Sequence, residues 1–182
     1  MELPKLPDPV PVELEGGSFG LLVLDITDAL CGTNPACRET LPAILRLLEK
    51  ARGAKAKVVF SMGRAPQKLL PDLARREEEP VVRGPANKYF GTDLERLLEG
   101  IETLVLTGTS ANGAVLYTAF ESCIRGKRVV VPEDAISARD PLAVWMAKYQ
   151  LLNQPGYGNP QNVPLAAQAV TLSRSDWITF RP

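Results

Sequence analysis

The stretch ETLVLTGTSANGAVLYTAFESCIRGKRVVV, Glu102–Val131, decides the fold. Its opening run, TLVL, is short, continuous and apolar, as expected of a strand buried on both faces. Glycine and small polar residues then crowd the turn TGTSANG, Thr107–Gly113. ANGAVLYTAFESCIRG reads as a helix that Gly126 closes, and KRVVV resumes as a strand. Strand, tight turn, helix and strand in succession is the unit from which parallel sheets are built.

The same alternation extends outward in both directions. GLLVLDI (Gly20–Ile26) and KVVFSMG (Lys57–Gly63) are further buried strands, VVRG is a third, and AQAVTLS near the C-terminus is the last. Between them, ETLPAILRLLEKARG carries apolar residues at helical spacing (Leu41, Ile44, Leu45, Leu48) and stops at Gly53. PQKLLPDLARREEE is expected to be helical in part, with Pro71 interrupting it. TDLERLLEG opens on a threonine N-cap, and DPLAVWMAKYQLL has Asp140 as N-cap with Pro141 at the first helical position. The pattern predicts one three-layer α/β/α domain over residues 1–182, Rossmann-like, with a six-stranded, mainly parallel sheet in the order 3-2-1-4-5-6. Residues 1–17 hold four prolines ahead of Gly16-Gly17 and read as an extended arm lying on the domain or on a partner subunit.

Composition narrows the chemistry. The chain has 182 residues, 45% hydrophobic and 23% charged, with 21 basic residues balancing 21 acidic ones. Zero net charge argues against a nucleic-acid partner held by bulk charge. No apolar run approaches the roughly 18 residues a membrane span needs, and the N-terminus lacks the apolar core of a signal peptide; a cytoplasmic protein without a membrane partner is expected. Three cysteines (Cys31, Cys37, Cys123), an odd number without a tight pair, point away from a disulfide framework or a zinc site. The chain has no histidine, which removes Ser-His-Asp and Cys-His catalysis and every imidazole acid or base. No metal and no cofactor are called for.

In a sheet of this kind ligands bind beyond the C-terminal strand ends. Those ends bring forward Asp25–Cys31, Ser61–Arg64, Thr107–Ala114 and Pro132–Ser137. Asp25, closing the first long strand, is a general acid or base, or else caps a neighbouring turn. Lys88, with Arg83 five residues earlier, either reaches a pocket or is a solvated surface cation. GTSANG lacks the middle glycine of a dinucleotide-binding turn and the last glycine of a nucleophile elbow. What it retains is a set of backbone amides at a helix start, a site for an anion or oxyanion.

Taken together these stretches resemble the isochorismatase-like hydrolases, also called the cysteine hydrolase superfamily, from about Phe19 to Ser173. LLVLDITDAL keeps the family's strand-ending aspartate as Asp25, with Thr27 where glutamine is usual. KYFGTDL resembles the segment that follows the family lysine. GTSANGAVLYTA, followed by RVVVPEDA, keeps Gly108, Asn112, Val115, Thr118 and Ala119 in register. The resemblance places Ala114 where relatives carry the nucleophilic cysteine, so thioester chemistry is not expected. It assigns Asp25 and Lys88 to catalysis, with Arg83 as the alternative to Lys88. It implies that Thr109, Ser110, Asn112, Gly113, Tyr89 and Phe90, with Arg83, line the substrate, and that a non-proline cis peptide joins Thr109 to Ser110. Two functions follow. One is a hydrolase that acts on a small anionic molecule of vinyl-ether type with Asp25 as general acid. The other is an inactive relative serving as a ligand-binding or subunit scaffold. A homo-oligomer is expected by analogy.

Overall fold

A computed structural model describes residues 2–181; residues 1 and 182, the ends of the predicted arm and domain, lie outside them. The six long strand segments form in the predicted order. They are β2 (Phe19–Leu24), β3 (Lys57–Met62), β4 (Val81–Arg83), β5 (Thr103–Thr109), β6 (Arg128–Pro132) and β8 (Val170–Ser173). They hydrogen-bond in the order β4-β3-β2-β5-β6-β8, with each pairing parallel. The sheet has a seventh member that the sequence did not announce: β7 (Ile136–Ser137) pairs with the end of β5. No helix among the described residues is long and apolar enough to cross a membrane.

Alternation within β2 explains why the run is solidly apolar. Leu21 and Val23 pack into one core cluster with Ile44, Leu47 and Leu48 of α3 (Leu41–Gly53). Leu22 and Leu24 face the other way, into a cluster holding Val115, Ala119, Ala147 and Leu151. Those last residues come from the turn before α5 (Leu116–Ile124), from α5 itself and from α6 (Pro141–Leu152), and Leu94 of the short α4 (Leu94–Leu97) joins the same cluster. A strand with helices on both faces has no polar side to show.

The N-terminal arm is ordered on the domain. Its β1 (Val12–Leu14) pairs in parallel with β9 (Ile178–Phe180), and Val12 and Leu14 are buried. The predicted helical stretch around Pro71 shrinks to a single 3-10 turn, Pro71–Leu73. Pro71 can donate no backbone hydrogen bond, and the charged residues after it offer no apolar face to bury. Two short helices fill the connection after β2: α1 (Asp28–Cys31), capped by the Thr27 hydroxyl, and α2 (Pro35–Glu39). They fold back so that Cys31 and Cys37, both fully buried, form a disulfide with their Cα atoms 5.2 Å apart. That corrects the expectation of unpaired thiols drawn from the odd cysteine count; only Cys123 is free among the three.

Candidate functional site

The C-terminal ends of β2, β3 and β5 converge because their registers are locked. Leu24 pairs with Ser61 on one side and Gly108 on the other. The chain must leave both β2 and β5 at this point. Asp25 does so with φ of 56°, a left-handed conformation that aspartate tolerates better than most residues. Gly108 has φ of 121°, and a Cβ there would lie 2.0 Å from the Leu24 carbonyl oxygen, so only glycine lets the two strand ends approach. The Thr109–Ser110 peptide is cis. The Thr109 hydroxyl donates to the Ser137 carbonyl at 3.1 Å, tying the turn to β7.

Asp25 is 7% exposed and engaged at both oxygens. The Ser61 hydroxyl donates to Oδ1 at 2.7 Å, and Lys88 Nζ lies 2.7 Å from Oδ2. Ser61 also accepts the Asp25 N–H through its carbonyl, at 3.1 Å. Lys88 is 1% exposed and donates to the Gly84 carbonyl at 3.3 Å as well. A buried charge pair with hydrogen bonds at both ends avoids the cost of an isolated buried ion. Arg83, by contrast, ends β4 on the exposed side and forms no ion pair among the described residues. The cation brought to Asp25 is therefore Lys88.

The Lys88 segment is held by α5. The Lys88 N–H donates to the Thr118 hydroxyl at 3.2 Å, and that hydroxyl donates to the Ala86 carbonyl at 3.3 Å. Asn87 reaches Glu121 at 3.2 Å, and the Tyr89 hydroxyl meets Ser122 Oγ at 3.0 Å. Arg125, itself paired with Glu121, lies over the Tyr89 ring, 4.5 Å from its centre. Burial pushes the Tyr89 phenol up to about 12, so it stays neutral. Tyr89 is committed to α5, and Phe90 is 67% exposed.

Position 114 sits in a π-helical turn, Ala111–Val115, that leads from the cis peptide into α5. Ala114 is buried, Asn112 is exposed, and Ser110 and Gly113 are half-buried. Thr118 follows Ala114 by four residues, hence on the same helical face, so Ala114 and the tether of Lys88 share one side of the helix. Ser61 was reachable from sequence only as one residue of a strand end; a hydroxyl inside an apolar strand carries no spacing signal of its own.

An isochorismatase domain matches residues 19–160. The chain is 33% identical over 114 residues to a secreted isochorismatase effector of Verticillium dahliae, covering 54% of this chain and 60% of that protein. It is 32% identical over 87 residues to an N-carbamoylsarcosine amidase of an Arthrobacter species, covering 46% of this chain and 33% of that one. The chain thus spans 60% and 33% of the length of these two relatives. Among solved structures, an N-carbamoylsarcosine amidase from Thermoplasma acidophilum superposes with a TM-score of 0.72 at 22% identity, covering 87% of this chain and 96% of that one, a likeness of fold.

Proposed function

The chain belongs to the isochorismatase family of hydrolases, and from that membership we propose that it hydrolyses a small anionic vinyl ether without a covalent thiol. The observation that supports this reading is the buried Lys88–Asp25–Ser61 constellation at the mouth of the sheet. Ala114, in the place we assign to the missing nucleophile, leaves an acid and a cation as the remaining reactive groups.

The reaction then runs on one shared proton. Lys88 passes it to Asp25 across their 2.7 Å contact, and Asp25 delivers it to the vinyl carbon. The double-bond electrons form the new C–H bond and leave an oxocarbenium ion. Water adds to that cation and returns its proton to the pair. The resulting hemiketal breaks its C–O bond, the electron pair leaving with the alcohol oxygen, which takes up the proton that the hemiketal hydroxyl gives up as the carbonyl forms. The net change is vinyl ether plus water to carbonyl compound plus alcohol. Ser61 fixes the carboxylate, and the turn at Thr109, Ser110 and Asn112 offers backbone amides to an anionic group of the substrate, with the Gly113 N–H bonded to the Ser110 carbonyl at 3.0 Å to shape that turn. A homo-oligomer fits the exposed apolar outer face of α6, where Leu142, Met146 and Tyr149 recur at helical spacing. The Cys31–Cys37 disulfide favours an oxidising compartment over the cytoplasm expected from sequence.

The test is a panel of vinyl ethers and amides, each carrying a carboxylate. The wild-type chain should turn over the vinyl ethers, and Asp25→Asn should lower kcat at least about 100-fold. Vinyl-ether turnover that survives Asp25→Asn would sink the mechanism, and a wild-type chain that turns over neither class would return the site to a binding role.

A further inference from the structure

Arg64 follows β3 by two residues and is exposed. Ser61, three residues before it, bonds Asp25. The Arg64 guanidinium forms no ion pair and no hydrogen bond among the described residues. It reaches instead across to the segment that carries Lys88. Gly91 has φ of 67°, and a Cβ added there would lie 3.2 Å from Arg64 Nη2. The guanidinium thus rests against bare backbone three residues beyond Lys88.

The stretch from Gly63 to Leu70 that presents Arg64 is fastened at both ends to the surroundings of Asp25. At its start the Gly84 N–H donates to the Met62 carbonyl at 3.1 Å, and the Gly84 carbonyl is the one that accepts from Lys88. At its end the Leu70 N–H donates to the Ile26 carbonyl at 3.0 Å. The Asp28 N–H donates to the Lys68 carbonyl, and Asp28 Oδ1 accepts from the Lys68 N–H, both at 2.9 Å. Inside the arch the Gln67 amide donates to the Ala65 carbonyl at 3.2 Å. Lys88 and Asp25 neutralise each other, so Arg64 is a charge left over beside them. Arg83 is also unpaired, but it stands opposite Met62 in the strand register, and alternation sets it on the other face of the sheet from Ser61.

We propose that Arg64 determines specificity at this site by holding the carboxylate of the substrate on the β3 side of Asp25. A guanidinium keeps its charge at any working pH and offers a planar fork of N–H donors that matches a carboxylate. The amides of the Thr109 turn stand on the other side, because β2 lies between β3 and β5. A substrate fixed at Arg64 therefore extends across Asp25 toward that turn, which brings its reacting carbon to the proton donor. The inference rests on the hydrolase reading for the reaction, and not for the binding of a carboxylate.

The test compares each carboxylate-bearing vinyl ether of the panel with its neutral amide. Arg64→Gln, an exposed change, should raise KM for the carboxylates at least about tenfold, keep kcat within about twofold and leave the amides unaffected. Arg64→Lys, which keeps the charge and loses the fork, should fall between. 2-Phenoxypropanoate, a saturated ether without a vinyl carbon to protonate, should bind the wild-type chain in calorimetry and lose about tenfold in affinity in Arg64→Gln. KM and affinity that are unchanged in Arg64→Gln would overturn the proposal. So would an equal loss for carboxylates and amides, a loss that appears in Arg83→Gln instead, or a wild-type chain that neither binds 2-phenoxypropanoate nor turns over the panel. Turnover that depends on Asp25 and not on Arg64 would keep the hydrolase and remove this assignment. Arg64-dependent binding of 2-phenoxypropanoate by a chain that hydrolyses nothing in the panel would do the reverse.

Discussion

At position 114 a methyl group stands in the turn that opens α5, the place we assign to a missing nucleophile. The native chain has little thiol chemistry to confuse a test of that position. Cys31 and Cys37 are bonded to each other, and burial pushes the Cys123 thiol up to about 12, leaving almost no thiolate at pH 8. Ala114→Cys should therefore introduce the one fast-reacting thiol. With the helix start beneath it, its midpoint for reaction with iodoacetamide should fall below about 7.5, against an ordinary value of about 8.5. The measurement is the pH dependence of alkylation, with the wild-type chain as blank. A cysteine there with an ordinary or raised midpoint would mean that Ala114 does not occupy a nucleophile's place.

Between elements, the segment Gly84–Thr92 matters because it carries Lys88 and has no regular structure to hold it. It borrows rigidity from α5 through Thr118, Glu121 and Ser122, residues on successive turns of one helix face. Thr118→Val keeps the shape but strands the Lys88 N–H and the Ala86 carbonyl, at about 1–3 kcal/mol of stability. It should also loosen Lys88 against Asp25, lowering kcat about tenfold while KM changes little, and Thr118→Ser should restore most of the loss. Equal kcat in the valine and serine variants would reduce Thr118 to a packing role. Such contacts show where sequence reading ended. The strands were legible because GLLVLDI and ETLVLTG are buried on both faces and so read as nearly continuous apolar runs. Strand β7, two residues long, offers no period to detect. The Ser61–Asp25 and Tyr89–Ser122 contacts join residues 36 and 33 positions apart, a separation that only the sheet order and helix docking close. The disulfide was hidden for a similar reason: Cys31 and Cys37 meet because α1 and α2 fold back, and the third cysteine disguised the pair.

Across the whole molecule, stability is fastened at the end of the sheet opposite the site as well. Arg52, near the end of α3, grips Glu79 with two hydrogen bonds of 2.7 Å, and the Arg76 N–H adds a third at 2.8 Å. These bonds join the long helix to the irregular segment that leads into β4, a segment with only one short helical turn of its own. Burial acts to raise the Glu79 carboxyl, but the hydrogen bonds and charge of Arg52 and the Arg76 amide outweigh it, and the net shift is downward from 4.5. A carboxylate whose folded value is depressed stabilises the fold fully above its unfolded value and ceases to do so as pH falls through the folded one. Glu79→Gln should therefore be less stable than wild type by about 2 kcal/mol at pH 7. The gap should narrow as pH drops below 4.5, the carboxyl's ordinary value, and close as the wild-type carboxylate is itself protonated in the folded chain. Urea denaturation of both chains at a series of pH values reads the difference directly. A gap that stays constant through the acid range would assign the loss to packing of the longer segment instead of to the charge held by Arg52.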